Sequence, residues 1–205
     1  MKINTKEMSY DEMLKLPRLQ HKKPMMPQGW LATIVRIAVA PTLWKTKFSY
    51  TTERMDLVGD QPCLILMNHC SFTDMKLAYG IFYPRKFGIV TSVDAMSGIL
   101  GKLMRLLGCT PTHKYVSDLT LIRDLEYMLK ENKTSVLMYP EAGYSFDGCT
   151  TTLPRKLGVL MKKLGVPVVT VITQGAFHRD PLYNMLQIRD VKVSAHVKCI
   201  ATAEE

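Results

Sequence analysis

Short apolar runs and helical stretches alternate along the chain from about residue 48 onward. Four continuous apolar runs are typical of buried parallel strands: PCLILM (62–67), KFGIVTS (86–92), TSVLMYP (134–140) and VPVVTVIT (166–173). A fifth stretch, 190–200, alternates apolar and polar residues as a half-buried strand does. Helical periodicity lies between the strands, at 71–83, 96–108, 117–131 and 155–165.

This alternation predicts an α/β fold, a single domain with a mainly parallel central sheet flanked by helices. The chain has 205 residues, a length that suits one such domain with a sizeable core. Ligands of parallel sheets bind beyond the carboxyl ends of the strands. Two polar stretches, 68–74 and 140–148, directly follow predicted strands, and we expect the functional site there.

The first 47 residues form a basic N-terminal helical arm in this interpretation, ahead of a catalytic domain at 48–205. The net charge of the chain is +9, and residues 1–50 hold nine Lys or Arg against three acids. Within the arm, residues 30–44 are apolar and are bracketed by Trp30 and Trp44. They are too few for the ~20 residues of a spanning helix. The pattern predicts an amphipathic helix at a membrane interface, or else a helix packed on the core.

Composition argues against several other classes of protein. Five scattered cysteines without a CxxC pair indicate free thiols in a reducing compartment rather than a disulfide framework. The cysteines and histidines show no recognisable ligand spacing, so no metal site is predicted. A basic segment attracts polyanions. Its apolar, Trp-bracketed neighbourhood and the absence of any nucleic-acid motif favour lipid over nucleic acid as a partner.

The stretch MNHCSFTD, residues 67–74, places His69 and Asp74 five positions apart. Such a pair points about 140° apart on a regular helix, so it meets only if His69 precedes the helix and Asp74 is in its first turn. Asp74 would then orient a histidine that acts as general base toward a substrate hydroxyl. The alternative is a capping box from Ser71 to Asp74, with His69 an ordinary loop residue. The spacing alone leaves both possibilities open.

Two further stretches offer candidate binding residues. In YPEAGYSFDG (139–148), Glu141 follows a strand, and Gly143 permits close approach of the backbone to a ligand, although a plain turn reads the same. In LGCTPTHK (107–114), Lys114 is a possible anion contact or a solvated charge. Lys156 has the same two interpretations, at the start of a predicted helix whose N-terminus favours anions.

Taken together, NHCSFTD, GCTPTHK, YPEAGYS and VPVVTVIT occur in an order and spacing that resemble the glycerophospholipid acyltransferase family, which includes lysophosphatidic acid acyltransferases. The family patterns are N-H-x4-D, G-x-x-[FP]-[VI]-x-R, [FY]-P-E-G-T-R-S and a V-P-[VI]-[VI]-P-type strand. The first is complete here as Asn68, His69 and Asp74. The third keeps four residues, Tyr139, Pro140, Glu141 and Ser145.

The resemblance implies a membrane-associated O-acyltransferase of phospholipid synthesis. It would move a fatty acyl group from acyl-CoA or acyl-carrier protein to a lysophospholipid hydroxyl, as in acylation of 1-acyl-glycerol-3-phosphate, with no further cofactor. His69 would be the base and Asp74 its partner. The implied substrate-binding residues are Asn68, Lys114, Glu141, Gly143, Tyr144, Ser145 and Lys156. The implied location is the cytoplasmic face of the cell membrane, peripheral or monotopic, through the segment from Trp30 to Trp44.

Two departures from the family pattern bear on the acceptor. Lys114 stands where the family has arginine, so the charge remains without bidentate phosphate geometry. The third motif reads EAGYS, and Tyr144 cannot pair with phosphate as the family's arginine does. The acceptor therefore stays open among lysophosphatidic acid, another lysophospholipid, an aminolipid and a glycolipid. Two alternative functions are a thioesterase, in which His69 activates water, and a non-catalytic lipid-binding module.

Overall fold

The computed structural model describes residues 11, 21–96, 98–112, 119–145, 147–179 and 189–205. The strands are β1 (Ser49–Glu53), β2 (Leu64–Met67), β3 (Phe87–Ser92), β4 (Thr110–Thr112), β5 (Ser135–Met138), β6 (Val168–Gln174) and β7 (Ser194–Ala201). The helices are α1 (Gly29–Lys45), α2 (Thr73–Phe82), α3 (Gly98–Leu106), α4 (Leu119–Glu126), α5 (Leu157–Leu164) and α6 (Ala176–Arg179). Short 3-10 turns lie at Met55–Leu57 and Val93–Met96, and a π-helical turn, Tyr127–Glu131, continues α4.

One sheet contains the described strands in the order β1-β7-β6-β2-β5-β3-β4. Neighbouring strands pair in parallel except β6 and β7, which are antiparallel. Five strands therefore point one way, and β7 and β1 extend one edge in the opposite direction. The predicted α/β fold with a mainly parallel central sheet flanked by helices is confirmed.

The central strand β2 explains why its sequence reads as an unbroken apolar run. All four of its side chains are buried, and successive side chains point to opposite faces of the sheet. Ile65 and Met67 join the core cluster that contains residues of α1 and α2. Leu64 and Leu66 join the second cluster, which contains residues of α4 and α5. Helices on both faces thus leave no solvent-facing side on β2.

The hydrophobic pattern did not predict the two edge strands, β1 and β4. Every residue of β1 is exposed, so SYTTE shows no apolar alternation and is extended only because it pairs with β7. β4 contains Pro111 and is only three residues long, so the sequence shows no strand pattern there. Because β4 is the other edge of the sheet, a proline without an N–H donor is tolerated there. The predicted helix start at 117–118 lies outside the described residues, as do most of residues 1–20.

Helix α1 packs on the core along one side, as the second interpretation of the apolar N-terminal segment predicts. Leu31, Val39 and Leu43 are buried against the domain, and Leu43 lies so close to Gly80 of α2 that a Cβ there would meet its Cδ1 at 2.8 Å. The outward side is apolar as well, so the polar face expected of an amphipathic helix is largely missing. Its exposed large side chains are Trp30, Ile34, Ile37 and Trp44. No helix in the described part of the chain is long and apolar enough to cross a bilayer.

The segment that precedes α1, residues 21–28, is held to α3 and α4 by three contacts. The Gln28 N–H donates to Leu106 O at 2.9 Å, and the Arg105 guanidinium donates to Lys23 O at 2.9 Å. His21 pairs with the buried Asp124 of α4 at 2.9 Å. These contacts hold the start of α1 against α3 and α4.

Candidate active site

The candidate site lies at the carboxyl ends of β2 and β5, which are parallel neighbours in the sheet. His69 is in the loop between β2 and α2, and Asp74 is in the first turn of α2. The loop that follows β5, residues 139–149, approaches the same place because strands paired in parallel end at the same edge. The fold thus brings the two polar stretches of the sequence together.

His69 and Asp74 are in direct contact, with 3.0 Å between Nδ1 and Oδ2. The same Oδ2 accepts the backbone N–H groups of Cys70 at 2.7 Å and Ser71 at 2.9 Å. The bond from Ser71 is one half of a capping box, and the other half is absent because the Ser71 hydroxyl accepts the Thr73 N–H at 3.0 Å instead of the Asp74 N–H. The same oxygen of Asp74 thus binds the histidine and the backbone that precedes the helix. Asp74 is fully buried, whereas the His69 side chain is 15% exposed. Three donors on one oxygen hold the carboxylate rigidly, and the carboxylate in turn orients the imidazole.

Two tyrosine rings enclose the imidazole of His69. The Tyr139 ring stacks on one side with 3.7 Å between centroids and 15° between planes. The Tyr144 ring lies at 3.8 Å and 31°, and Phe72 meets the edge of Tyr144 at 5.4 Å. Since Asp74 binds Nδ1 and the rings cover the imidazole faces, Nε2 at the ring edge is the nitrogen left for a substrate.

Ser145 fixes the loop after β5 to the backbone of the histidine. Its N–H donates to His69 O at 2.7 Å. Its hydroxyl donates to Cys149 O at 2.7 Å and accepts from the Gly148 N–H at 2.8 Å. Ser145 is buried, and its hydrogen bonds hold the loop together. A contact between Ser145 and substrate stays a prediction.

Asn68 has a similar structural position. Its Oδ1 accepts the Thr173 N–H at 2.8 Å and the Thr173 hydroxyl at 3.1 Å. Its Nδ2 donates to Thr173 O and to Cys70 Sγ, both at 3.2 Å. Both ends of the amide are thus hydrogen-bonded within the chain, and they connect the His69 loop to β6. A contact between Asn68 and substrate stays a prediction.

Glu141 brings a second carboxylate close to the site. Burial, with a smaller contribution from the negative charge of Asp74, raises the pKa of Glu141, and hydrogen bonding to Thr151 partly offsets this. Its Oε2 is buried without a hydrogen-bond partner, as is Oδ1 of Asp74. A buried polar atom without a partner is unfavourable, so Oε2 is suited to accept a hydrogen bond from a substrate hydroxyl.

The cationic candidates are less informative. Lys114 lies outside the described residues. Lys156 is exposed just before α5, and its carbonyl accepts the Leu160 N–H at 3.1 Å. Its side chain makes no hydrogen bond or ion pair with a described residue. Gly143 is half-buried, and a Cβ built on it would have no atom within 4 Å, so there is open space beside it.

Cys70 adjoins His69 but is unsuited to be a nucleophile. Burial, followed by the negative charges of Asp74 and Glu141, raises the pKa of its thiol to about 12, which removes the thiolate that chemistry would need. Among the described residues, no group of His, Cys, Asp and Glu is arranged to hold a metal ion.

Thiol titration of the folded protein checks this assignment. Cys149 is exposed and the other four cysteines are buried, so we expect one fast equivalent of reaction with a disulfide reagent. Cys149→Ser should remove that equivalent, and Cys70→Ser should leave both the equivalent and most enzymatic activity. Rapid labelling of Cys70, with loss of activity in Cys70→Ser, would contradict this assignment and make Cys70 a candidate nucleophile.

Ala142 has a strained backbone in the loop after β5, with φ of +56° where the family pattern has glycine. The left-handed conformation destabilises a residue with a Cβ, so Ala142→Gly is expected to raise the free energy of unfolding by about 1 kcal/mol. Urea denaturation measures this. Gly143→Ala is the matched control, since Gly143 lies outside that conformation and a Cβ there meets nothing. A less stable Ala142→Gly protein would contradict the strain argument.

Three residues of the site were not among the predicted site residues: Tyr139, Phe72 and Thr173. Tyr139 is the first position of the third motif, which signalled its presence without its role. Phe72 is one of the unspecified residues between His69 and Asp74. Neither ring contact is encoded by local spacing, because it joins loops about 70 residues apart in sequence, and Thr173 enters only through the pairing of β6 with β2.

A mainly parallel sheet with a histidine–aspartate pair at the end of its central strand is the arrangement of an enzyme that uses a histidine base. The sequence model of the Acyltransferase family matches residues 47–174, more than half of the chain, and the chain belongs to this family of glycerophospholipid acyltransferases. The identification made from the motifs is thereby confirmed.

Among solved structures, the fold is similar to the 1-acyl-sn-glycerophosphate (LPA) acyltransferase PlsC from Thermotoga maritima. The TM-score is 0.59 and the sequence identity is 18%, over 82% of this chain and 66% of that chain. At this identity the likeness shows the fold. No curated protein sequence matches significantly.

Proposed function

We propose that this acyltransferase moves a fatty acyl group from an acyl thioester to the free hydroxyl of a lysophospholipid. The observation that carries the proposal is the Nδ1–Oδ2 contact of 3.0 Å between His69 and Asp74, with the imidazole faces covered. A thioester is already activated, so the difficult step is removal of the hydroxyl proton during attack. An oriented neutral imidazole is suited to that step.

In the proposed mechanism, Nε2 of His69 takes the proton of the acceptor hydroxyl as its oxygen attacks the thioester carbonyl. Asp74 stabilises the imidazolium that forms. The tetrahedral intermediate then collapses, the C–S bond breaks, and the leaving sulfur takes the proton from His69. The products are the ester and a free thiol, and the histidine returns to its neutral form.

The oxyanion of the intermediate requires N–H donors close to the loop after β5. Four of its amides are already used. Ala142 N–H donates to Tyr139 O, and Ser145 N–H donates to His69 O. Gly148 N–H donates to the Ser145 hydroxyl, and Cys149 N–H donates to Asp147 Oδ1. The Gly143 N–H makes no hydrogen bond to a described residue, and we propose it as the donor. Glu141 would hold a second hydroxyl of the acceptor through its unpartnered Oε2.

The donor in this proposal is acyl-CoA or acyl-carrier protein. Both present negative charge, which the net charge of +9 attracts. No cofactor or metal enters the proposed reaction. Lys114 and Lys156 stay as proposed anion contacts, Lys156 because it is exposed and free of ion pairs within the described part of the chain.

The proposed location is the cytoplasmic face of the cell membrane, with α1 at the interface. Trp44 is 86% exposed and Ile37 67% exposed, next to Lys45 and Lys47. Aromatic, aliphatic and basic side chains in this combination favour the boundary between headgroups and acyl chains. A peripheral attachment would deliver the enzyme to a lipid acceptor without a spanning helix.

Vesicle sedimentation tests the role of α1. Ile37→Ser is expected to weaken partitioning into vesicles of phosphatidylglycerol and phosphatidylcholine by about tenfold, because burial of such a side chain contributes about 1.5–3 kcal/mol. Val159→Ser is the matched control, since Val159 of α5 is 69% exposed compared with 67% for Ile37. Equal partitioning of the two variants would contradict an interface at α1.

Thiol release from palmitoyl-CoA and from palmitoyl-carrier protein tests the function itself. We expect release to require an added lysophospholipid and to disappear in a His69 variant. Release that requires His69 but no acceptor would indicate a thioesterase. Silence with both donors, together with retained lipid binding, would indicate a non-catalytic module.

A further inference from the structure

Tyr144 occupies the place where the family pattern has arginine, and its ring lies against the catalytic base. The centroids of Tyr144 and His69 are 3.8 Å apart. The Tyr144 ring also makes an edge contact with Phe72. We propose that Tyr144 is a positioning and acceptor-selecting residue. It holds His69 edge-on to the acceptor and makes the site favour lysophospholipids whose phosphate is a diester over those with a phosphate monoester. This inference rests on the proposed function.

The positioning role follows from how the imidazole is enclosed. Asp74 fixes one ring nitrogen but leaves rotation of the ring about that contact. The stacked Tyr139 ring at 3.7 Å and the tilted Tyr144 ring at 3.8 Å remove this freedom. Tyr139 directly follows β5, and Tyr144 is five residues further on, so both rings belong to one loop. Ser145, the next residue, ties that loop to His69 O at 2.7 Å.

The selecting role follows from charge. Asp74 lies 3.0 Å from His69, and Glu141, in the same loop as Tyr144, has a buried Oε2 without a hydrogen-bond partner. No Lys or Arg among the described residues forms a hydrogen bond or ion pair with His69, Asp74 or Glu141. A phosphate monoester carries nearly two negative charges at neutral pH, whereas a diester carries one. An aromatic ring beside two carboxyl groups therefore disfavours the monoester more strongly than the diester.

An arginine at the same position would reverse this preference. A guanidinium forms two parallel hydrogen bonds with a phosphate and adds a positive charge. Tyrosine offers one hydroxyl and an apolar ring instead. Tyrosine at position 144 thus replaces a group that would bind phosphate with a ring that lies against His69.

The experiment compares two acceptors that differ only in the phosphate ester, 1-acyl-glycerol-3-phosphate and 1-acyl-glycerol-3-phosphoglycerol. Values of kcat and KM are measured with each thioester donor for the wild type, Tyr144→Phe, Tyr144→Leu and Tyr144→Arg. Tyr50→Arg is the control for added charge, because Tyr50 is exposed on β1 at the far edge of the sheet.

We expect the wild type to favour the diester in kcat/KM, and Tyr144→Arg to shift the ratio toward the monoester by about tenfold or more. Tyr50→Arg should leave the ratio unchanged. Tyr144→Leu removes the ring and should lower kcat about tenfold with both acceptors while KM changes little. Tyr144→Phe retains the ring and should therefore recover much of the kcat that Tyr144→Leu loses.

A wild-type preference for the monoester would overturn the inference and leave the proposed function intact. An unchanged ratio in a folded Tyr144→Arg protein would also overturn it. If that variant does not fold, two other measurements test the inference. The wild-type ratio of kcat/KM for the two acceptors tests selection. The kcat of Tyr144→Leu tests positioning, and an undiminished kcat would contradict it. Absence of acceptor-dependent thiol release in the wild type would overturn the proposed function and this inference with it.

Discussion

Replacement of His69 with glutamine is expected to lower kcat of acyl transfer by about 10³-fold, within the range that positioned general bases contribute. Glutamine approximates the volume of histidine and can still donate a hydrogen bond to Asp74 Oδ2. It cannot accept a proton near neutral pH. The acceptor hydroxyl would then have to lose its proton to water during attack on the thioester.

The loss should be in kcat rather than in KM, because a general base acts mainly in the transition state. KM for the acyl donor should change little in His69→Gln, and the melting temperature should remain close to that of the wild type. His178→Gln is the control, since His178 is an exposed histidine of α6. A folded His69→Gln enzyme that keeps a tenth or more of wild-type kcat would remove His69 from the role of base.

Asp74→Asn is expected to have the second-largest effect, a reduction of kcat by about 10²-fold or more. The amide oxygen can take the place of Oδ2 and keep the backbone donors of Cys70 and Ser71, which lie at 2.7 and 2.9 Å. The negative charge that stabilises the imidazolium is lost. The tautomer of His69 with a proton on Nδ1 is favoured less strongly.

The same change should lower stability. Oδ1 of Asp74 is buried without a partner, so the new amide nitrogen would be a buried donor with no acceptor. Such a group costs about 1–3 kcal/mol of unfolding free energy. Urea denaturation and steady-state kinetics on one preparation separate the two effects. Asp60→Asn, at an exposed position, should change neither, and full activity in Asp74→Asn would contradict the pairing.

The double variant His69→Gln/Asp74→Asn connects the two predictions. If the aspartate acts through the histidine, removal of both should reduce kcat little more than removal of His69 alone. Multiplied losses would indicate that Asp74 has a separate effect on the reaction.

Much of the candidate site could be predicted because its parts are local in sequence. His69 and Asp74 are five residues apart across a strand-to-helix junction, and that local geometry decides whether they meet. Glu141 likewise follows a strand whose apolar run is plain in the sequence. The roles of Asn68 and Ser145 could not be predicted. Their partners, Thr173 and His69, are about 105 and 76 residues away in the chain.

The fold, like the site, has features that local sequence determines and features that depend on distant contacts. Hydrophobic periodicity by itself determined the buried strands, the intervening helices and the parallel α/β class, because burial on two faces requires continuous apolar runs. The edge strands β1 and β4 were decided by tertiary structure, since an exposed edge has no apolar pattern and forms only through its neighbour. The stacking of Tyr139 and Tyr144 on His69 was decided there too. A ring contact depends on how two loops meet at the end of the sheet, and residue order alone does not specify that meeting.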